Sequence, residues 1–140
     1  MEPFEFYLKK ELVKRISPNK FRARFLLKDV KDRLNFIKQV DIVQFPKIYL
    51  EMLYDIIRDY CDAILFIDGY KSFSHEASIS YLLKKGFDFI TIGRLDSFRH
   101  KRNGSKYYGE PIFVEDAKSL SELYLKIESR LNNILKDKLK

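Results

Sequence analysis

Cysteine and histidine are nearly missing from this chain. Its 140 residues include one cysteine, Cys61, and two histidines, His75 and His100. A lone cysteine excludes an internal disulfide and any metal site built from several thiolates, and it suits a reducing compartment. His75-Glu76 is the one dipeptide with metal-ligand chemistry, and a capping or packing role fits it better. Long apolar runs are scarce too. Ala63–Ile67 is the longest near the middle, far too short to span a bilayer. The opening residues, MEPFEFYLKKELVK, lack the apolar block of a signal peptide. The expectation is a cytoplasmic protein that does not enter a membrane. The motifs GxGxxG, GxxxxGK[ST] and GxSxG are all absent, and no cofactor is expected. No repeat, low-complexity stretch or linker divides the chain, so residues 1–140 read as a single domain.

Apolar and basic residues are abundant. Hydrophobic residues make up 46% and aromatics 15%, enough to bury a sizeable core. The net charge of +7 is uneven. Residues 1–40 hold eleven Lys/Arg and five Asp/Glu, and residues 94–109 hold five against one. Residues 41–93 are net acidic, with five against eight. Two separated basic segments could converge on a polyanion such as RNA or a nucleotide, or could be solvated helix faces.

The apolar periodicity is helical. Phe4, Leu8, Leu12 and Ile16 recur every four residues and predict a first helix stopped by Ser17-Pro18. Ala23, Leu26, Leu27, Val30, Leu34 and Ile37 form a second stripe. Tyr49, Met52, Leu53, Ile56, Tyr60, Ile64 and Ile67 form a third, ended by Asp68-Gly69. Ser74 can cap a short helix through Leu83, with Gly86 at its exit. Asp88 can cap the next helix, which should bend or end near Asn103-Gly104. Ala117, Leu120, Tyr124, Ile127, Leu131 and Ile134 make a final heptad-like seam. Ala63–Ile67 and Phe87–Ile92 could be strands by composition, but the third stripe runs through the first of them. The expected fold is all-α, an up-and-down bundle of five or six helices with no sheet.

The segment Arg94–Gly109, RLDSFRHKRNGSKYYG, is the most informative. Leu95, Phe98 and Arg102 share one helical stripe. A guanidinium and an amide, Arg102 and Asn103, thus stand where the next apolar residue is due. Asp96 alone opposes five cations there. Arg99, Arg102, Asn103, Tyr107 and Tyr108 are the candidate ligand-binding residues. Arg102 could hold a phosphate through its planar fork, and the tyrosines could stack on a base. Alternatively, Arg102 pairs with a carboxylate from a neighbouring helix and the tyrosines pack. No catalytic residue is assigned.

Gly69-Tyr70-Lys71-Ser72-Phe73-Ser74-His75-Glu76, then Tyr81-Leu82, then Phe98–Gly104 with Tyr107, Tyr108 and Gly109, precede a long amphipathic helix. In these features the chain resembles HEPN domains (higher eukaryotes and prokaryotes nucleotide-binding) over about residues 20–138. The resemblance implies a helical bundle that dimerises with its motif helices lining a shared cleft. Many such proteins look like metal-independent RNases, with an Arg, usually a polar residue such as Asn after it, and then a His four to six residues beyond the Arg. Others pair with small nucleotidyltransferases as toxin–antitoxin couples. Arg102-Asn103 matches the start of the motif. Tyr107 or Tyr108 falls where the family has His, and a tyrosine titrates near 10, too high for a base at neutral pH. His100 lies on the wrong side of Arg102. The expectation is therefore a non-catalytic nucleotide- or RNA-binding homodimer, possible partner of a nucleotidyltransferase. An endoribonuclease with an atypical, tyrosine-containing motif is the alternative.

Overall fold

One helix, α3 (Pro46–Asp68), is the axis of the fold. The computed structural model describes residues 1–139. Pro46 occupies the first turn of α3, where its missing N–H costs nothing. Gly69 ends the helix in the left-handed region, at φ 89°. A Cβ there would lie 2.9 Å from the Ile16 carbonyl oxygen, so the position needs glycine twice over. Leu50, Leu53, Ile56, Ile57, Tyr60, Cys61, Ala63, Ile64 and Leu65 are all buried. Their directions cover most of the helix circumference, as befits a helix with neighbours on several sides.

Those neighbours are α2 (Lys20–Ile37), α4 (His75–Ser80), α5 (Phe89–Tyr108) and α6 (Val114–Lys138). α2 and α5 run antiparallel to α3, and α6 runs parallel to it. Arg33 reaches Asp59, and Lys47 reaches the Ser105 carbonyl. Tyr49 meets Ser121 and Tyr60 meets Asn132 at opposite ends of α6. The predicted stripes explain this packing. Ala23, Val30 and Ile37 of α2 are buried, as are Ala117, Leu120, Leu123, Tyr124, Ile127, Leu131 and Leu135 of α6. The Asp116 carboxylate accepts from the Phe113 N–H at 2.9 Å and fixes the start of α6. Neither Ala63–Ile67 nor Phe87–Ile92 forms a strand. The chain is mostly helical, with six α-helices among the described residues.

Four expectations need correction. The first helix, α1 (Phe4–Lys9), ends at Lys9 instead of reaching Ile16. Lys10 caps it, Glu11 turns the chain with a positive φ of 59°, and Val13–Arg15 becomes a strand, β1. β1 pairs antiparallel with β2 (Tyr70–Ser72), so a two-stranded ribbon exists where no sheet was expected. The helix capped by Ser74 stops at Ser80 and tightens into a 3-10 turn over Tyr81–Lys85, which Gly86 closes at φ 87°. Finally, α5 runs unbroken through Asn103-Gly104 to Tyr108. Gly104 is buried there, and the Glu110 N–H donates to its carbonyl at 3.1 Å. The returning chain supports the helix at the point where glycine weakens it.

Candidate functional site

α5 presents the candidate residues. Asp88 starts it, its carboxylate accepting from the Thr91 N–H at 2.7 Å. Ile92 and Leu95 then anchor one face in the core. That same face carries Arg102 two turns later, so the guanidinium is carried inward with them. Arg102 is only 3% exposed.

Burial of a cation demands a partner, and Arg102 has several. Nη2 donates to Asp55 Oδ1 on α3 at 3.1 Å, and Nη1 donates to Asn103 Oδ1 at 3.2 Å. The guanidinium carbon lies 5.6 Å from the centre of the Tyr54 ring, a cation–π contact. Its Nε–H and the Tyr54 hydroxyl are buried without a hydrogen-bond partner among the described residues. The expected cleft-edge Arg102 is thus an interior residue, and the pairing with a neighbouring helix is what the geometry displays.

Arg99 is also engaged. Its Nε donates to Asp96 at 2.8 Å, and its Nη2 lies 3.3 Å from Glu76 Oε1 and 3.0 Å from His100 Nε2. His100 stands out toward solvent beside Asp96, away from Arg102. Lys101 pairs with Asp116 at 2.7 Å. Tyr107 and Tyr108, by contrast, project into water at 63% and 81% exposure. Lys106 is exposed beside them, 5.9 Å from the Tyr107 ring centre. The five candidates therefore fall into two groups. Arg99, Arg102 and Asn103 belong to one ion-pair layer, and the tyrosines form a protruding tip at the end of α5.

Sequence reasoning missed three members of that layer. Tyr54 and Asp55 come from α3, and His75 opens α4, its ring 6.3 Å from that of Tyr54. Burial, then the cations Arg58, Arg102 and Arg99, push the His75 imidazole down to about 4 despite Asp55. His75 is therefore neutral near pH 7 and a weak base. Asp62 on α3 accepts from Ser78 Oγ at 2.9 Å, and burial raises its carboxyl above the usual range. One signal was present in the sequence: Glu51, Asp55, Asp59 and Asp62 recur at helical spacing within an otherwise apolar segment. An acidic stripe on a core helix requires cations nearby; Arg33 of α2 and Arg102 of α5 supply them from opposite, and Arg58 from α3 itself.

No family model, no curated protein and no solved structure matches this chain. Among the described residues, no helix is long and apolar enough to cross a membrane. The Cys61 thiol is buried and pushed well above its ordinary value, which makes it inert at neutral pH.

Proposed function

We propose that this chain is a non-catalytic, HEPN-like binding module that takes a nucleotide, an RNA or a nucleotidyltransferase partner at the tip of α5. The observation that carries this reading is the division of labour along α5. Arg102 is sealed against Asp55 and Tyr54, while Lys106, Tyr107 and Tyr108 continue the same helix into solvent. Two exposed aromatics beside a lysine suit a base and its phosphate. The interior layer holds the helix in place, and the tip makes the contact. Arg99 and Arg102 then support binding by positioning α5.

Supporting the non-catalytic reading, the one histidine packed toward Arg102 is held neutral and weakly basic by burial and by the surrounding guanidinium groups. His75 approaches Arg102 through the shared Tyr54 ring, which is the feature an RNase reading would use. A base with a pKa of about 4 accepts a proton from a 2′-hydroxyl poorly. The homodimer remains part of the proposal, because exposed Phe36, Phe45, Ile48 and Phe113 leave an apolar surface at the end of the bundle that the tyrosines share.

The test is a titration with labelled RNA and with adenine nucleotides. Wild type is compared with Tyr107→Ala/Tyr108→Ala and with Lys136→Ala as control. Loss confined to the tyrosine variant supports the proposal. Wild-type binding by that variant, or metal-independent RNA cleavage lost in His75→Gln, overturns it. Light scattering at micromolar concentration checks the dimer.

A further inference from the structure

The outer face of α2 is chemically unlike the rest of the surface. The helix buries Ala23, Val30 and Ile37 against the bundle and turns Phe21 and Phe25 outward, 79% and 60% exposed. Residues four apart stand side by side on a helix. The two rings border a shallow depression of about 360 Å³ walled by Phe21, Arg22, Phe25 and Leu26. Alongside this aromatic row runs a cationic one, Lys20, Arg24 and Lys28. Residues 20–28 contain four cations and no acid.

The β-ribbon joins this face through Ile16–Asn19, which is tied to the end of α3. Ile16 N–H donates to the Gly69 carbonyl at 2.9 Å, and Asn19 N–H donates to that of Phe66 at 2.8 Å. In the ribbon, Lys14 sits directly opposite Lys71. Like charges facing each other across an antiparallel pair repel. Lys14, Lys20, Arg22, Lys28 and Lys71 form no ion pair among the described residues. Aromatic rings lie under two of these cations, Lys71 over Phe73 at 5.3 Å and Arg22 over Phe66 at 5.0 Å, and under the neighbouring Arg15, over Tyr70 at 5.5 Å.

We infer that the ribbon and the outer face of α2 form a second binding surface, and that its ligand is single-stranded RNA. Cations without an ion-pair partner call for a polyanion. Exposed phenyl rings beside them call for flat apolar faces. A single strand offers both, because its phosphates and unstacked bases alternate along one chain, whereas a duplex hides its base faces. An anionic membrane would satisfy the charges. A helix lying in a bilayer interface, however, needs a broad apolar face, and α2 has turned its own toward α3. The surface is distinct from the α5 tip, so this inference does not depend on the function proposed above.

The experiment is fluorescence anisotropy with a labelled single-stranded oligouridylate of about 12 nucleotides across a salt series. Each engaged phosphate contributes roughly −0.7 to the slope of log affinity against log salt. Lys14, Lys20, Lys28 and Lys71 together give a slope of about −3. Lys20→Glu/Lys28→Glu should weaken binding and make the slope shallower by about 1.4. Phe21→Ala and Phe25→Ala should each weaken binding about tenfold with the slope unchanged. Both rings are exposed, so these variants keep the fold. Lys136→Ala on α6 should bind like wild type, and the salt slope together with the phenylalanine variants separates this surface from the α5 tip, which carries the single exposed cation Lys106 beside its tyrosines. Absence of oligouridylate binding at low salt, equal binding by the phenylalanine variants, or binding to phosphatidylglycerol vesicles in place of RNA would overturn the inference.

Discussion

Replacing Asp55 by alanine should damage this protein more than replacing Arg102 by methionine, although the two residues form one ion pair. The asymmetry follows from their surroundings. The Arg102 side chain is 4% exposed and that of Asp55 is 35% exposed. At the observed 3.1 Å the direct attraction is about 5 kcal/mol in a medium of effective dielectric near 20. Desolvation of the guanidinium consumes much of that. Asp55→Ala strips the buried cation of its one carboxylate among the described residues, leaving Asn103 and the Tyr54 ring, and should cost about 3 kcal/mol. Arg102→Met keeps an apolar stem against Tyr54 and leaves behind a carboxylate that water can reach, so it should cost about 1 kcal/mol. The double variant should match Arg102→Met, a coupling of about 3 kcal/mol. In thermal unfolding followed by circular dichroism, Asp55→Ala should lower the midpoint by about 10–15 °C. The reasoning is refuted if Arg102→Met is the costlier change, or if Arg102→Met stabilises the protein. The second outcome would mean that Arg102 is strained in the unliganded fold and held for an external anion.

Three further outcomes can be checked. Gly93→Ala should stabilise by up to about 1 kcal/mol, since no atom lies within 4 Å of the added methyl, whereas Gly69→Ala should destabilise; chemical denaturation distinguishes the two signs. Stability should fall as pH drops from about 6.5 through about 4, because the unfolded chain protonates His75 and the fold does not. The ring is partly exposed, so the loss is about 1–2 kcal/mol. Asp59, pushed up to about 6 by burial that nearby Arg33 offsets only in part, takes up its proton in the fold first and works the other way. His75→Gln should therefore flatten or reverse the acid limb of the curve. Cys61 should react with a disulfide reagent only as fast as the chain unfolds, and rapid labelling in native buffer would contradict its burial.

The parts of the fold that could be read from the sequence were those decided locally. The stripes of α2, α3 and α6 held because apolar spacing sustained over several turns has one solution. The caps Ser74 and Asp88 and the stops Gly69 and Gly86 also held, because their side chains or missing side chains act within a few residues. What could not be read was decided at a distance. Leu12 and Ile16 continue the period of Phe4 and Leu8, yet their segment pairs with residues 70–72, far along the chain. Gly104 looked like a weak point, but Glu110 closes back on it. Arg102 could be recognised as anomalous on its stripe. Its partner, 47 positions earlier, could not be named, so a pairing and a ligand site looked alike until the helices were placed.

The ribbon and α1 have a kinetic meaning. The contacts that tie the first fifteen residues to the rest of the fold reach far along the chain: Tyr7 to Glu76, Glu5 to Lys84, the Glu2 carbonyl to Ser80, and β1 to β2. Contacts that close such long loops form late, because the loop entropy precedes the reward. The bundle of α2, α3 and α6 can assemble without them, and α1 with its strand then fastens across the aromatic cluster of Phe4, Tyr70 and Tyr81. The same segment should be the first to let go. In native-state hydrogen exchange it forms a separate cooperative unit, with the amides of α1 and β1 exchanging together and well before those of α3.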